Sequence, residues 1–445
     1  MPEITHRKKR LSSFKLIVLG FAGVIVLGAL ILMLPFSSTA GVVTPFHEAL
    51  FTSTSAVCVT GLVVQDTGSY WSPFGQAIIL LLIQIGGLGV VTVAAFVAML
   101  SGRKISLMQR STMQDAISAP KVGGIVRLTR FIVRGTFLIE LIGMIVMLPT
   151  FCGNYGIKGI WMAAFHSISA FCNAGFDILG TAENKYPSFT GYIGDTTINI
   201  AVMFLIIVGG IGFLTWDDIC TNKWHFKKYR MQSKVILVTT MLLIIAPAVF
   251  FFFCDFTGLP LAERILASLF QSVTPRTAGF NTADLPAMTG SSKAIMILLM
   301  LVGGSPGSTA GGMKTTTLAV LILSAFSVCR KKDDAEVCGR RIDGSAVKNA
   351  AAVAVMYLLL FFVGGIVIST AEGLPLSTCL YETASAVGTV GLTLGITPQL
   401  GVLSQLVLIV LMYLGRVGGL TLIYAAISNK NQSGAKLPLE KITVG

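Results

Sequence analysis

The chain has 445 residues, of which 54% are hydrophobic and 12% charged, and it carries a formal net charge of +13. Its mean hydropathy of +0.80 implies more apolar surface than a soluble fold of this length can bury, which excludes a soluble globular protein. The composition indicates a polytopic membrane protein, and the positive charge indicates basic loops on one side of a membrane rather than nucleic-acid binding.

Eight apolar stretches are long enough to span a bilayer, which takes about 20 helical residues. They cover 14–36, 75–99, 128–150, 195–216, 234–256, 293–325, 348–370 and 402–427. The stretches form four pairs, and a short amphipathic segment with a glycine-bearing loop separates the two members of each pair. The sequence therefore predicts an all-α polytopic membrane protein with four M1-P-M2 repeats. Eight transmembrane helices and four re-entrant pore loops would stand in a pseudo-fourfold arrangement around one pore.

The expected repeats cover 1–108, 109–230, 231–332 and 333–428, followed by a cytoplasmic tail at 429–445. Lys and Arg gather in both terminal tails and in the segments 101–134, 223–234 and 330–348. Because basic loops remain in the cytoplasm, both termini are predicted to be cytoplasmic. No cleavable signal peptide is expected, so the first helix would stay as an anchor.

Each of the four loops contains a version of one short phrase, at 55–62, 169–176, 273–280 and 385–392. The phrase puts one glycine at a matching place in every loop, and consecutive glycines are 114, 104 and 112 residues apart. These glycines are Gly61, Gly175, Gly279 and Gly391. Spacings of this size mark large repeated units rather than the short repeats of a solenoid.

A short amphipathic helix is predicted before each phrase, at 45–57, 158–171, 260–273 and 375–387. Three of these segments open with proline near the first turn, and Glu48, Glu263 and Glu382 lie in or near early turns, as is typical of helix N-termini. Their C-terminal ends would point at mid-membrane. The negative ends of four helix dipoles would favour a cation there and repel an anion.

The loops themselves indicate an ion pore. Backbone without helical hydrogen bonds is tolerated at membrane depth only where protein buries it or water meets it, so we expect the four loops to face one another or a cavity. Rings of free backbone carbonyls can replace the hydration shell of a cation. Glycine supplies the positive φ that aiming successive carbonyls inward requires.

These features resemble the membrane subunit of the bacterial Ktr systems, in the Ktr/Trk/HKT superfamily of potassium-uptake proteins, over essentially the whole chain. The resemblance implies a selectivity filter whose backbone carbonyls bind potassium. Its residues would be Val59, Thr60, Gly61, Asn173, Ala174, Gly175, Thr277, Ala278, Gly279, Thr389, Val390 and Gly391. All four loops lack the second glycine of the Thr-Val-Gly-Tyr-Gly sequence of potassium channels, so weaker selectivity over sodium is expected.

The resemblance also implies selective potassium uptake across the plasma membrane, a homodimer, and a cytoplasmic ring of nucleotide-binding RCK domains that controls the pore. The chain has no phosphate-binding loop of its own, so nucleotide control would come from that second subunit. A weakly selective sodium/potassium translocating protein or a secondary cation symporter is the alternative function. No catalytic constellation, nucleotide site, zinc site or disulfide framework is predicted.

One glycine-rich segment interrupts the sixth apolar stretch and is predicted to be a flexible gating loop inside the membrane, because glycine, proline and hydroxyl residues all oppose a continuous helix. It consists of Gly303, Gly304, Ser305, Pro306, Gly307, Ser308, Thr309, Ala310, Gly311 and Gly312. The milder glycine clusters at 86–89, 209–212 and 418–419 are expected to serve close helix packing.

Three basic residues lie within the apolar part of the chain. Arg416 is expected to face the pore, where the resemblance implies that it hinders permeation beneath the filter, or to form a structural ion pair with Glu140. Lys314 would hold the gating loop or extend toward the cytoplasm. Arg276, one residue before a filter triplet, is expected to pack behind the filter against a carboxylate such as Glu382 or Asp284.

Overall fold

The computed structural model describes residues 12–101, 105–117, 123–419 and 421. Within these ranges the regular secondary structure is helical apart from one antiparallel hairpin, β1 Glu336–Val337 and β2 Arg340–Arg341. The helices are α1 Ser13–Leu32, α2 Phe46–Val57, α3 Pro73–Leu88, α4 Val90–Leu100, α5 Leu107–Ile117, α6 Ile125–Tyr155, α7 Lys158–Phe171, α8 Thr196–Gly210, α9 Phe213–Asn222, α10 Met231–Cys254, α11 Leu261–Val273, α12 Gly290–Leu301, α13 Thr315–Cys329, α14 Gly344–Glu372, α15 Leu376–Gly388 and α16 Val402–Val417. The expected tail at 429–445 and the basic N-terminal residues lie outside the described residues.

Four helices, α1, α6, α10 and α14, are each long and apolar enough to cross a membrane in one piece, with lengths of 20 to 31 residues. Their outward faces remain apolar, and Leu138, Leu141 and Ile145 of α6 are each more than half exposed. A helix that is apolar on its exposed face as well as on its packed face is suited to lipid. The structure is thus that of an integral membrane protein.

The second apolar stretches of the first two pairs differ from the continuous helices expected from their hydropathy. The pair α3 and α4 bends by 96° at a break, and the pair α8 and α9 bends by 98°. The breaks fall at Gly89 and Gly212, whose φ angles are +84° and +91°. Such a backbone conformation cannot continue a right-handed helix. The expectation that these clusters serve only close packing was therefore wrong at their final glycines.

Close packing does occur at the preceding glycines of the same clusters. A Cβ on Gly87 would lie 2.6 Å from the Cys172 sulfur, and a Cβ on Gly86 or Gly209 would meet a backbone carbonyl even more closely. The last cluster repeats the pattern of a break, since α16 ends at Val417 and the next residue, Gly418, has a φ of +86°. Only the beginning of the expected span 402–427 can be compared, because residues 420 and 422–427 lie outside the described residues.

The sixth apolar stretch is divided, as its composition predicts. Helix α12 ends at Leu301, α13 begins at Thr315, and the residues between them are not helical. The predicted span 293–325 is therefore two short helices joined by a loop. In the described part of the chain, four helices can span a membrane, or six if each bent pair counts as one span, whereas hydropathy alone predicted eight.

The four short helices α2, α7, α11 and α15 coincide closely with the four predicted amphipathic segments. Pro45, Pro260 and Pro375 are the N-cap residues of three of them. Their last turns are fully packed, and Val57, Phe171 and Val387 are completely buried. Each short helix therefore ends inside the protein, directly before a loop that carries one of the matching glycines.

One order of elements recurs four times: a long helix, a short helix, an extended stretch, and a second helix or helix pair. We number these recurrences as unit 1 (13–100), unit 2 (125–222), unit 3 (231–329) and unit 4 (344–417). The second helix of each unit packs on the short helix of the next: α3 on α7, α8 on α11, α12 on α15, and α16 on α2. These contacts close a cycle, which brings the four extended stretches together.

Candidate functional site

The four matching glycines meet at the centre of the protein. A Cβ on Gly61 would lie 2.5 Å from the carbonyl oxygen of Ala174, and one on Gly175 would lie 2.8 Å from that of Ala278. A Cβ on Gly279 would lie even closer to the Val390 carbonyl oxygen, and one on Gly391 even closer to that of Thr60, which completes the cycle. Every loop thus contacts the next at its glycine, and a side chain at any of the four would displace a neighbouring carbonyl.

The backbone of each predicted filter triplet alternates in handedness. The glycines have φ angles of +91°, +68°, +77° and +98° in chain order, and the first residue of each triplet is also left-handed. These first residues are Val59 (φ 51°), Asn173 (58°), Thr277 (72°) and Thr389 (53°). Alternating the sign of φ turns successive peptide planes so that their carbonyls point to one side.

Positive φ was predicted for the glycines only, and its presence at the first triplet position was missed. Val59, Thr277 and Thr389 are β-branched, and such residues rarely adopt this conformation. Strain of this kind costs of order 1–3 kcal/mol per residue and persists where the surroundings enforce it. The structure therefore imposes this geometry against local preference, and no sequence pattern marks it.

The middle amide of every triplet is bonded back to the end of its short helix. The bonds run from Thr60 N to Ser55 O (2.8 Å), Ala174 N to Ser169 O (2.8 Å), Ala278 N to Thr274 O (3.0 Å) and Val390 N to Ser385 O (2.8 Å). By contrast, no donor among the described residues bonds to any carbonyl of the four triplets. Buried carbonyls are nearly always paired, so twelve free ones in one place indicate a site for a positive ligand.

Serine hydroxyl groups of the repeated phrase form hydrogen bonds with the backbone of the loops. The amides of Gly61 and Gly391 donate to the Oγ atoms of Ser55 and Ser385, each at 3.0 Å. In unit 2 the Ser169 hydroxyl instead donates to the Phe176 carbonyl at 2.7 Å. These serines were not predicted as site residues, although the serine that opens three of the four phrases was a visible signal.

The predicted gating loop, which joins α12 to α13, packs against the predicted filter. A Cβ on Gly312 would be 2.9 Å from the Gly388 carbonyl, and Gly311 touches the side chain of Thr389, the first triplet residue of unit 4. The loop also forms hydrogen bonds to unit 2. Ser305 N donates to Gly210 O at 2.9 Å, and the Thr309 hydroxyl donates to Phe171 O at 3.1 Å. The loop thus occupies the space next to the ends of two short helices.

Two cationic side chains hold the gating loop. Lys314 Nζ donates to the carbonyls of Ala310 at 2.8 Å and Gly311 at 3.3 Å. Arg416 donates from one terminal nitrogen to the Thr309 carbonyl, and from the other to the Gly86 carbonyl and, at 3.2 Å, to that of Gly87. The structure therefore brings the predicted gate residues together as one bonded group.

The ion pair that was the alternative for Arg416 and the one expected for Arg276 are both absent among the described residues. Glu140 accepts hydrogen bonds from Gln84 Nε2 at 3.0 and 3.3 Å and does not pair with Arg416. Arg276 does not pair with Glu382 or Asp284; its guanidinium donates to the Thr240 hydroxyl at 3.3 Å. Glu382 is fully buried and accepts a hydrogen bond from Leu394 N, in the segment beyond its own filter triplet.

Cavities lie on two sides of this group. One of about 1030 Å³ is lined by residues on the far side of the filter from the gating loop, among them Gly61, Val63, Tyr186, Asp284 and Thr393. A smaller one of about 230 Å³ is lined by gate and helix-break residues, among them Gly89, Gly312, Lys314, Arg416 and Gly418. One cavity thus touches the triplet glycine Gly61, and the other touches the loop 303–312 and its two basic residues.

Comparison with known proteins shows the family to which the chain belongs. The chain is 38% identical to the Potassium/sodium uptake protein NtpJ of Enterococcus hirae, over 98% of each chain. It is 36% identical to the Ktr system potassium uptake protein B of Bacillus subtilis, covering 97% of this chain and 96% of that protein. The crystal structure of the potassium transporter TrkH from Vibrio parahaemolyticus shares the fold, with a TM-score of 0.74 at 19% identity, over 95% of this chain and 86% of that one. Residues 24–434 match the TrkH family, described as cation transport proteins. The chain belongs to the TrkH family of cation transport proteins.

Proposed function

We propose that this chain takes up potassium selectively across the plasma membrane through one pore formed by its four loops. The observation that carries the proposal is the closed cycle of four left-handed glycines, around which the triplet carbonyls lack any hydrogen-bond donor among the described residues. The triplets from Val59, Asn173, Thr277 and Thr389 would form the selectivity filter. Their carbonyl oxygens would replace the hydration shell of the transported ion.

Potassium as the ion is supported by the relatives rather than by geometry. Proteins 30–38% identical over nearly the whole chain carry names as potassium or potassium/sodium uptake proteins. In this proposal potassium is the cargo, and the chain itself binds no nucleotide. The chain is proposed to be a transporter and not an enzyme, because its family is one of cation transport proteins.

The gate is proposed to be the loop 303–312 with Lys314 and Arg416. Lys314 and Arg416 donate to carbonyls of the loop, and the Thr309 hydroxyl bonds the loop to the short helix of unit 2. Gly311 lies close against Thr389, the first filter position of unit 4. A cation leaving the filter would meet this loop and two positive side chains, which repel it. Movement of the loop away from the filter would open the path.

The arrangement in the membrane follows from the same units. We propose that units 1 to 4, with the residues that connect them, are M1-P-M2 repeats, so that eight spans surround one pore with pseudo-fourfold symmetry. The cyclic packing of α3, α8, α12 and α16 on the next short helix supports this. Basic residues at 223–234 and 330–348 favour a cytoplasmic side that holds both termini.

The partners are also part of the proposal. A homodimer in membrane lipid, controlled by a cytoplasmic ring of RCK domains, is supported by the resemblance and by relatives named as one protein of a Ktr system. The basic cytoplasmic segments offer a charged surface for such a ring. Copurification with the ring subunit in mild detergent tests this, and consistent failure of the two proteins to associate would contradict it.

Two observations favour a second candidate function. The first-named relative is a potassium/sodium uptake protein, and all four loops lack the second glycine of a potassium-channel filter. Both observations favour a weakly selective sodium/potassium translocating protein or a cation symporter. Selective and weakly selective transport differ in one measurable quantity, the ratio of potassium to sodium flux.

The experiment is flux of potassium and sodium into liposomes that contain the purified chain. Wild type is compared with Gly279→Ser and with a deletion within 305–311. Selective potassium flux that Gly279→Ser loosens and the deletion raises would support the filter and the gate together. Similar fluxes of both ions in wild type would favour the second function, and flux indifferent to Gly279→Ser would contradict the pore assignment.

A further inference from the structure

The backbone just beyond the filter is held in two different ways in alternate units. In units 2 and 4 the support comes from the unit's own short helix. His166 and Glu382 each stand nine positions before the filter glycine of their unit, and both are fully buried. His166 Nε2 accepts from Ile178 N at 3.3 Å, and Glu382 Oε1 accepts from Leu394 N at 3.1 Å. Each bond reaches the amide three positions beyond the glycine.

These two side chains have additional partners that fix their orientation. Glu382 Oε2 accepts from the Thr397 hydroxyl at 2.8 Å, and its Oε1 also accepts from the Thr393 hydroxyl. His166 Nδ1 lies 2.7 Å from the Met162 carbonyl. Because Nε2 accepts a hydrogen bond, Nδ1 carries the proton of the neutral ring and donates to that carbonyl. Both residues are therefore acceptors aimed at the segment that follows the filter.

Units 1 and 3 lack an acceptor at the matching position. The matching residues are Thr52, whose hydroxyl is buried without a partner among the described residues, and Phe270, which has no polar side-chain atom. In unit 1 the Glu48 carboxylate of α2 accepts from Gln65 Nε2 at 2.9 Å, but this bond holds a side chain and not the backbone. Without another support, the backbone at the ends of these two filter loops would be held less firmly than that of units 2 and 4.

The missing support comes from a distant part of the chain, the segment 186–189 between α7 and α8, which we name the outer strap. The Tyr186 hydroxyl donates to the Val64 carbonyl of unit 1 at 2.9 Å. In unit 3, Asn281 N donates to Ser188 Oγ at 3.0 Å, and Phe189 N donates to Asn281 O at 3.0 Å. One segment of unit 2 thus bonds to the filter loops on both of its sides.

The outer strap is itself tightly held. Tyr186 and Ser188 have φ angles of 58° and 47°, a conformation that costs energy in residues other than glycine and is kept only where contacts enforce it. Asp66 of unit 1 accepts from Tyr186 N at 3.0 Å. The Phe189 ring lies 5.1 Å from the rings of both His166 and Phe280. The strap therefore links units 1, 2 and 3 at the rim of the filter.

We propose that the outer strap is a positioning element of the filter, which supplies to units 1 and 3 the support that His166 and Glu382 supply to units 2 and 4. This inference rests on the proposed function of the four loops as a filter. Preference between two cations depends on where the carbonyls can settle around each ion. Loss of one strap hydrogen bond lets the carbonyls of units 1 or 3 relax. They can then approach the smaller sodium ion more closely, which lowers the preference for potassium over sodium.

The test removes single hydroxyl groups from the strap in the full-length chain. Tyr186→Phe deletes the bond to the Val64 carbonyl, and Ser188→Ala deletes the bond from Asn281 N while leaving that from Phe189 N to Asn281 O. The matched control is Tyr192→Phe, which lies between α7 and α8 but outside the strap. The Tyr192 hydroxyl accepts from Asn154 Nδ2 at 3.2 Å and makes no described bond to a filter loop. The readout is the ratio of potassium to sodium flux in liposomes, at equal amounts of inserted protein.

We expect both strap variants to lower the ratio about 3- to 10-fold, the effect of one lost neutral hydrogen bond, while the control keeps the wild-type ratio. An unchanged ratio in both variants, or equal losses of both fluxes, overturns the inference, because a merely structural role would lower the amount of active protein without changing preference. Failure of both variants to insert would likewise count against it.

Gly279→Ser is measured in the same series, because it distinguishes failure of the strap inference from failure of the filter assignment. If Gly279→Ser changes the ratio and the strap variants do not, the strap inference alone is wrong. If Gly279→Ser also leaves the ratio unchanged, the filter assignment is wrong, and the strap inference falls with it.

Discussion

Arg416 donates a hydrogen bond to the backbone carbonyl of Thr309, although 107 positions separate the two residues. Its second terminal nitrogen donates to the carbonyls of Gly86 and Gly87, beside the break between α3 and α4. A charge within an apolar helix of a membrane protein costs about 2.5–3.5 kcal/mol on insertion scales. Three carbonyl partners offset part of that cost, and they join the last helix to both the gating loop and unit 1.

Removing the Arg416 charge should release the loop. We expect Arg416→Gln to raise potassium uptake about 3- to 10-fold, because the variant loses a charge-assisted bond to Thr309 and a positive charge near the ion path. Uptake by cells that lack other potassium-uptake systems is the measurement. Arg264→Gln is the control, since Arg264 bonds to the Phe252 carbonyl and stacks on its ring. Unchanged or lower uptake in Arg416→Gln would contradict its part in the gate.

A smaller effect is expected from the loop's own hydroxyl. Thr309→Ala removes the bond to the Phe171 carbonyl at 3.1 Å, and we expect it to raise flux about 2- to 5-fold by loosening the closed loop. The control is Ser308→Ala, whose hydroxyl bonds only within the loop, to Ser305 O at 2.7 Å. Tracer flux into liposomes compares the two. Equal flux from both variants would show that docking on unit 2 does not restrain the loop.

The filter cycle predicts intolerance of any side chain at its glycines. Gly61→Ala would put a methyl group 2.5 Å from the Ala174 carbonyl at a residue with φ +91°, so we expect potassium flux to fall at least about 10-fold. Gly153→Ala is the matched control, because nothing lies within 4 Å of its Cβ position. The pair is compared by flux in liposomes. Wild-type flux in Gly61→Ala would mean that this loop does not line the ion path.

Acidity should affect stability through Asp177, which lies outside the spanning helices, in the loop that follows α7. Burial raises the pKa of this carboxyl from 3.8 to about 7, the Leu179 amide opposes the rise, and the nearby Asp66 charge adds to it. Between about pH 4 and pH 7 the folded state therefore holds a proton that the unfolded state has lost. The free energy of unfolding should fall as pH rises through this window.

Thermal unfolding in detergent across pH 4 to 8 measures this effect. The difference between wild type and Asp177→Asn should change through the window and level off above it, because the amide does not titrate. Asp284→Asn, at an exposed position of the neighbouring unit, controls for the loss of one negative charge. A wild-type curve parallel to that of Asp177→Asn would contradict the role of this carboxyl.

Much of the site could be predicted because its parts repeat. The four short helices were expected at 45–57, 158–171, 260–273 and 375–387, and α2, α7, α11 and α15 lie there within a residue or two. The break at 303–312 followed from glycine and proline, which oppose a helix in any surroundings. The bends at Gly89 and Gly212 were missed, since glycines in apolar runs serve helix packing at one position and helix termination at another.

The sequence by itself determined the membrane class, the four repeated units, the short helices and the matching glycines. Hydropathy and the conformational freedom of glycine are local properties, so they can be recognised without a fold. Only the tertiary structure decided which carbonyls stay unpaired, that Arg416 bonds to Thr309 rather than Glu140, and that one outer segment supports two other units. Those relationships join residues from different units, and their distances depend on how the helices pack around a common centre.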